Sequence, residues 1–362
     1  MNATGGKTIK IGNRLIGAGQ PAYIIAEISQ NHCGELSKAK ELVDAAKEIG
    51  CDSAKFQTFT TELFCADRSK MFTYRSQGRD VTESEYELHK RYEFTPDQWA
   101  ELVAYCEKRQ IQFLTTIQDP INLELMLTLG LCGIKIGSDD FDHVENLRIY
   151  ARSGLPLLLS KGMAALGEVD RIVRVLRAEG AQAAIMHCVS LYPTGAENLN
   201  LRQIQTLQKL YPDIVWGFSD HSQGPLASTL AVTLGAKVIE KHFTLDHNLP
   251  GPDHWFSMDV GEMAQLVRDV RFAEAAMGSG DVVPAAAELA ERSIRRRRVV
   301  ARKNLKPGDM LDEQSVTFKR ASNGLFVSEW DLVRGTRLRA AKQENEGIDL
   351  ADIAFETSGA ST

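Results

Sequence analysis

Short apolar runs alternate with stretches that carry apolar residues at helical spacing, and the pattern continues through most of the 362-residue chain. The run AYIIAEI at 22–28 is nearly continuous, as expected of a strand buried on both faces, and it ends in the polar turn SQNHCGE. A helix is predicted over 36–49 and a strand over 53–57 (SAKFQ). Thr95-Pro96-Asp97 opens the next helix, because Thr can cap it and Pro suits its first position. Beyond it, strands are predicted at 112–116, 133–136, 156–160, 183–187, 214–218 and 236–240. Helices at 122–129, 144–151, 168–179, 201–210, 225–234 and 261–277 follow them in turn. Eight strand–helix pairs in about 260 residues match an α/β fold of the (β/α)8 TIM-barrel type. The alternative is an open doubly wound sheet, but no Gly-x-Gly-x-x-Gly turn follows any of the strands.

Three segments lie outside this alternation. Residues 7–16 (KTIKIGNRLI) have the pattern of a hairpin suited to plugging the bottom of a barrel. Residues 58–94 form a long polar insertion, a length typical of lids and binding loops. After residue 277, GSGDVVPAAAEL has linker composition, and short β-rich runs then alternate with the turns KPGD and SNG. The expected domains are a barrel with its N-terminal hairpin at 1–277, a linker at 278–293 and a small β-rich domain at 294–362. A domain of that size is near the lower limit for folding alone, so it is expected to lean on the barrel or on another subunit.

Composition narrows the class of function. Hydrophobic residues at 43% and charged residues at 25% are those of a soluble globular protein, and the net charge of −6 argues against nucleic-acid or membrane partners. The basic run Arg295 to Arg298 therefore reads as a solvated strand edge or interdomain contact. No apolar run is long enough to span a bilayer, and the first residues lack a signal peptide's apolar core. Six cysteines at 33, 51, 65, 106, 132 and 188 show no paired spacing and read as reduced thiols in the cytoplasm.

In a barrel the chemistry gathers at the C-terminal ends of the strands. There this chain carries Glu27, Lys55 with Gln57, Thr116, Lys135 with Ser138, Ser160 with Lys161, Ser190 with Tyr192, Ser219 with His221, and Lys241 with His242. The strands ending near His221 and His242 are joined by one helix-length segment, so they run parallel and open on one rim. Two imidazoles there suit Zn, Mn, Co or Fe; two separately hydrogen-bonded histidines are the plainer alternative. Lysines and hydroxyls converging beside them suit a phosphate. The residues alone point to a metal-assisted enzyme acting on a phosphorylated or anionic small molecule.

The stretches IIAEISQNHCG, SAKFQTF, IKIGSDD, LLLSKGM, HCVSLYPT, GFSDHS, VIEKHFT and GPDHWFS together resemble the sialic acid synthase family, and the C-terminal part resembles its antifreeze-like (SAF) domain. The resemblance implies a TIM barrel whose SAF domain caps the partner's site in a domain-swapped homodimer. It implies condensation of phosphoenolpyruvate with an N-acylated amino sugar to a nonulosonic acid and phosphate. His221 and His242 match the family's positions for Mn2+, with Mg2+ or Co2+ as alternatives. Lys55, Lys135, Ser138, Ser160, Ser190 and Ser219, with Thr116 close by, match the phosphoenolpyruvate site. Glu27, Gln57, Tyr192 and Asp253 match residues around the metal and the amino sugar, and Arg320 matches the arginine that reaches the N-acyl group. Catalytic roles fall to Glu27, Lys55, Lys135, His221 and His242, with Glu27 orienting or deprotonating water.

The chain departs from the family pattern at Cys33, at Ile117-Gln118, at Asp139-Asp140 and at Ala321-Ser322, all of which bear on substrate choice rather than on the reaction. A related barrel making 3-deoxy-octulosonate or heptulosonate phosphate is a rival reading, opposed by the SAF-like domain. A non-catalytic carbohydrate-binding or ice-binding protein is another, opposed by the full set Lys55, Lys135, His221, His242 and Asp253.

Overall fold

A computed structural model describes residues 7–354, which divide after Gly278 into two compact units. The first is built on a closed barrel of eight strands that follow one another around the ring in chain order, every neighbouring pair parallel. They are β1 (Tyr23–Ser29), β2 (Ser53–Thr58), β3 (Gln112–Ile117), β4 (Ile134–Ile136), β5 (Leu157–Ser160), β6 (Ala183–Cys188), β7 (Val215–Asp220) and β8 (Val238–His242). The predicted strands lie within two residues of these, and helices Leu36–Ile49, Pro96–Arg109 and Val260–Met277 appear where helical spacing placed them. Thr95 caps its helix: its hydroxyl accepts from Gln98 N–H while the Gln98 side chain accepts from Thr95 N–H.

Side chains alternate between the two faces of each strand, and this parity sorts the core into two layers. Outward residues such as Ile24, Ala54, Phe56, Phe113 and Ile239 pack against the helices; Phe56 meets Trp99 edge-on at 6.2 Å between ring centroids. Inward residues Tyr23, Ile25, Leu114, Leu158, Ala184, Met186, Val215 and Val238 fill the lower barrel together with Ile9, Ile11 and Ile16. Those three isoleucines come from the hairpin Thr8–Ile11 and Arg14–Gly17, which closes the bottom as the N-terminal pattern suggested. Gly217 is the inward residue of β7 where the filling is tightest: a Cβ there would lie 2.6 Å from Val238 O and 2.9 Å from Met186 Cγ. With the bottom apolar and sealed, the same inward rows reach the top as polar residues.

The insertion at 58–94 is more ordered than a loop. It holds a short helix Thr61–Phe64, an antiparallel hairpin of strands Met71–Ser76 and Arg79–Ser84, and a helix Glu85–Tyr92. Gln77 and Gly78 turn the hairpin with φ of 51° and 75°, the positive pair that a two-residue turn of type I′ requires. Two hydrogen bonds pin its tip to the loop after β8: Gln77 Nε2 to Asn248 O at 2.9 Å, and Gly251 N to Ser76 Oγ at 3.1 Å.

The second unit has its own small core of Val299, Ala301, Leu305, Leu311, Val316, Leu325, Val333, Leu338, Ile348 and Ile353. Two-stranded sheets Arg298–Ala301 with Val316–Lys319, and Arg337–Leu338 with Ile353–Ala354, frame it. The linker stretch holds a helix, Ala286–Arg295, with none of its residues buried.

Candidate active site

Strand register assembles the mouth of the barrel. Glu27 pairs with Lys55 and with His242, Thr116 with Lys135, and Ser219 with both Glu240 and Cys188. These inward ends line a chamber of about 390 Å³ together with Ser138, Ser160, Ser190, Tyr192 and His221. A second, outer chamber of about 690 Å³ opens from it beneath the hairpin, and Gln57, Asp139, Ser190, Tyr192 and His242 line both.

The inner chamber is organised by buried charge. Lys55 Nζ lies 2.6 Å from Glu27 Oε2, 3.0 Å from Glu240 Oε2 and 3.1 Å from Thr116 Oγ1. Lys135 Nζ lies 3.7 Å from Glu240 Oε1 and donates to Ile136 O at 2.8 Å. All four charged groups are at most 5% exposed. Burial alone would raise the Glu240 carboxyl, but Lys135 and Lys55 together hold it well below the usual range. Burial pulls the Lys55 ammonium down while Glu240 opposes it. A carboxylate flanked by two ammonium groups stays ionised.

Lys55 thus donates to Thr116 Oγ1 and stands in ion-pair contact with Glu27 and Glu240. Lys135 spends one donor on a carbonyl and stands off from Glu240, so it retains hydrogen-bonding capacity toward the chamber. The hydroxyls divide in the same way. Ser219 donates to Glu240 Oε1 at 2.8 Å and Ser190 donates to Ser138 Oγ at 2.9 Å. Ser138 therefore keeps its own proton, and Ser160 Oγ is buried with no protein partner. Lys135, Ser138 and Ser160 are the groups equipped to donate to an anion.

His221 and His242 face one another across the mouth, with ring centroids 5.5 Å apart, and Tyr192 lies 4.0 Å from the first and 5.8 Å from the second. His221 Nδ1–H donates to Val189 O at 2.8 Å, which leaves Nε2 as a lone pair. His242 Nδ1 is buried without a hydrogen-bond partner, 3.7 Å from Asp253 Oδ2. Burial lowers His221 to about 4 and pushes His242 well below its ordinary value, helped there by His221. Both rings are neutral near pH 7, the form that binds a divalent cation. A carbonyl fixing one tautomer and an unsatisfied buried nitrogen on the other fit a metal pair. Asp253 is held by Ser29 Oγ at 2.8 Å, and Ser29 has an unusual φ of 52° beside the bulge between β1 and β2.

Every strand-end residue named from the sequence lines the inner chamber except Lys161 and Lys241. Lys241 pairs with Asp220 at 3.0 Å, and Lys161 lines a separate small cavity with Leu166 and Leu207. Arg320 is an exposed residue of the second unit, just after its strand Val316–Lys319. Cys33 lines neither chamber; its Sγ lies 3.2 Å from Pro250 O and 3.4 Å from His254 Nε2. Glu240 is the residue that sequence reading passed over. Its signal was parity: if 242 faces inward, so do 240 and 238.

Residues 42–282 match the profile of the NeuB family, and residues 296–354 match that of the SAF domain. The chain is 36% identical to N,N'-diacetyllegionaminic acid synthase of Legionella pneumophila over 89% of this chain and 92% of that one. It is also 36% identical to human N-acetylneuraminate-9-phosphate synthase, over 84% of this chain and 85% of the other. The crystal structure of N-acetylneuraminic acid synthetase from Leptospira borgpetersenii in complex with citrate superposes with a TM-score of 0.72. That pair is 32% identical and covers 80% of this chain and 96% of the other.

Glu240→Gln is expected to lower the stability of the barrel by about 3 kcal/mol, because it breaks a buried ion cluster from one side. Asp213→Asn, which removes an exposed pair with Arg177, should cost less than about 1 kcal/mol. Denaturant midpoints of the two variants make the comparison; equal losses contradict the charge cluster's structural role.

Proposed function

The chain belongs to the NeuB family and carries a SAF domain, and we propose that it is a synthase condensing phosphoenolpyruvate with an N-acylated amino sugar. The product is a nonulosonic acid, with release of phosphate. One observation carries this reading: two neutral histidines stand at the rim of a buried chamber that keeps Lys135, Ser138 and Ser160 as donors for an anion.

Phosphoenolpyruvate fits the inner chamber with its phosphate on those donors, and Lys55 supplies fixed positive charge beneath it. The amino sugar, open-chain at C1, lies toward the outer chamber against Gln57, Tyr192 and Asp253. His221 and His242 would hold a divalent cation, Mn2+ in our reading, and it would supply Lewis acidity for the aldehyde. C3 of phosphoenolpyruvate attacks C1 of the sugar; water adds at C2, and the resulting hemiketal phosphate loses phosphate. Glu27 Oε1 is buried without a hydrogen-bond partner, which equips it to orient that water or take its proton. Its other oxygen, Oε2, lies 2.6 Å from Lys55 Nζ. Tyr192, Phe256 and the histidine rings form an aromatic wall at the junction, with Tyr192 and Phe256 centroids 5.5 Å apart. A homodimer in which the SAF domain serves the partner's barrel, and Arg320 as the group that recognises the acyl substituent, complete the proposal on the strength of the resemblance.

Two measurements bear on it. His242→Ala should cut phosphate release from phosphoenolpyruvate and N-acetylmannosamine by at least roughly 100-fold while leaving circular dichroism unchanged. An active variant that binds no metal contradicts the role of the histidine pair. Arg320→Ala should raise the KM for the sugar by about tenfold and barely move that for phosphoenolpyruvate; equal effects on both count against acyl recognition.

A further inference from the structure

The wall shared by the two chambers carries a carboxylate that the proposed reaction does not use. Asp139 lines both, and no hydrogen bond or ion pair holds its side chain among the described residues. Its position is nonetheless set. The carboxylate folds back over Gly137, so closely that a Cβ at 137 would lie 2.1 Å from Asp139 Oδ1. The intervening Ser138 accepts from Ser190, and its Cβ would sit 2.3 Å from a Cβ placed on Gly162. A loop packed this tightly holds the charge at the junction.

Among this chain's own lining residues, little in the outer chamber offsets it. Its lining offers one arginine, Arg75 on the hairpin, whose guanidinium lies 5.4 Å from the Trp255 ring centroid. Against it stand Asp139, Asp253 and Glu85, of which only Glu85 has a cation, Lys70 at 2.7 Å. The remaining walls carry five aromatic side chains, Phe72, Tyr74, Tyr192, Trp255 and Phe256, beside uncharged polar groups such as Gln30, Gln57 and Thr73. Aromatic faces and carboxylates recognise the C–H faces and hydroxyls of an uncharged sugar. A phosphate monoester, carrying close to two negative charges at neutral pH, would meet the acidic wall as a like charge.

We propose that Asp139 is a specificity-determining residue that restricts the sugar substrate to unphosphorylated amino sugars. The inference rests on the synthase reading above and adds the charge of the second substrate. C1 of that sugar lies at the histidine pair, so its far end runs past Asp139 into the outer chamber, where a 6-phosphate would be repelled.

The test measures kcat/KM for phosphate release with Mn2+ and phosphoenolpyruvate. The sugars are N-acetylmannosamine, its 6-phosphate and 2,4-diacetamido-2,4,6-trideoxymannose. The full chain should favour its best neutral sugar over the 6-phosphate by roughly tenfold or more. Asp139→Asn and Asp139→Gly should each narrow that ratio by about fivefold; two variants guard against a local folding defect in either. A preference for the 6-phosphate that Arg75→Ala removes would overturn the inference and make Arg75 a phosphate ligand. A ratio unmoved by both Asp139 variants overturns it as well. If none of the three sugars releases phosphate, the synthase reading itself fails and the inference falls with it.

Discussion

Lys55 sits between two carboxylates at the top of a closed barrel, and much of the site depends on that arrangement. An ammonium group taken this far from water needs partners, and the parallel register supplies Glu27 from one side and Glu240 from the far end of the ring. Closure of the barrel is what brings β8 next to β1, so the ion cluster and the fold require each other. Lys135 then borrows Glu240 at longer range and keeps its capacity for a ligand. The histidines inherit their positions from the same geometry, because His242 pairs in register with Glu27.

The division between an apolar lower barrel and a polar top explains how such a charge cluster can be tolerated. Below it, Ile25, Leu114, Leu158, Met186 and Val238 form a dry floor with the N-terminal hairpin beneath. The floor excludes water from below and leaves the mouth as the route for ligands. Electrostatic interactions in such a site are stronger than in water, for a bound anion as much as for the internal pairs. The hairpin at 71–84 extends this enclosure upward over the outer chamber, tied to the loop that carries Asp253.

Much of this was legible in the chain. Alternating buried runs and helical spacings located all eight strands to within two residues, because parallel strands buried on both faces leave a continuous apolar signal. Lys55, Lys135, His221 and His242 were found because polar residues at the ends of such runs stand out. Lys161 and Lys241 stood out equally but turn away, since the residue after an inward one faces outward. Glu240 was hidden by the opposite effect: within VIEKHFT it looked like ordinary alternation, and only the closed register gives it two lysines. The insertion at 58–94 read as a loop because its strands are exposed and carry no buried face to mark them. Arg320 belongs to the second unit, and its assignment rests on family likeness alone.

The central claim is that one cation and one anion meet at the mouth of this barrel. Anomalous diffraction from crystals soaked in Mn2+ and phosphoenolpyruvate tests it most directly. The account predicts a manganese peak bonded to His221 and His242, with the phosphate against Lys135, Ser138 and Ser160. A peak confined to the other His–carboxylate cluster, His247 with Asp259 and Glu262 beside the helix Val260–Met277, would contradict it, as would phosphoenolpyruvate bound away from Lys135.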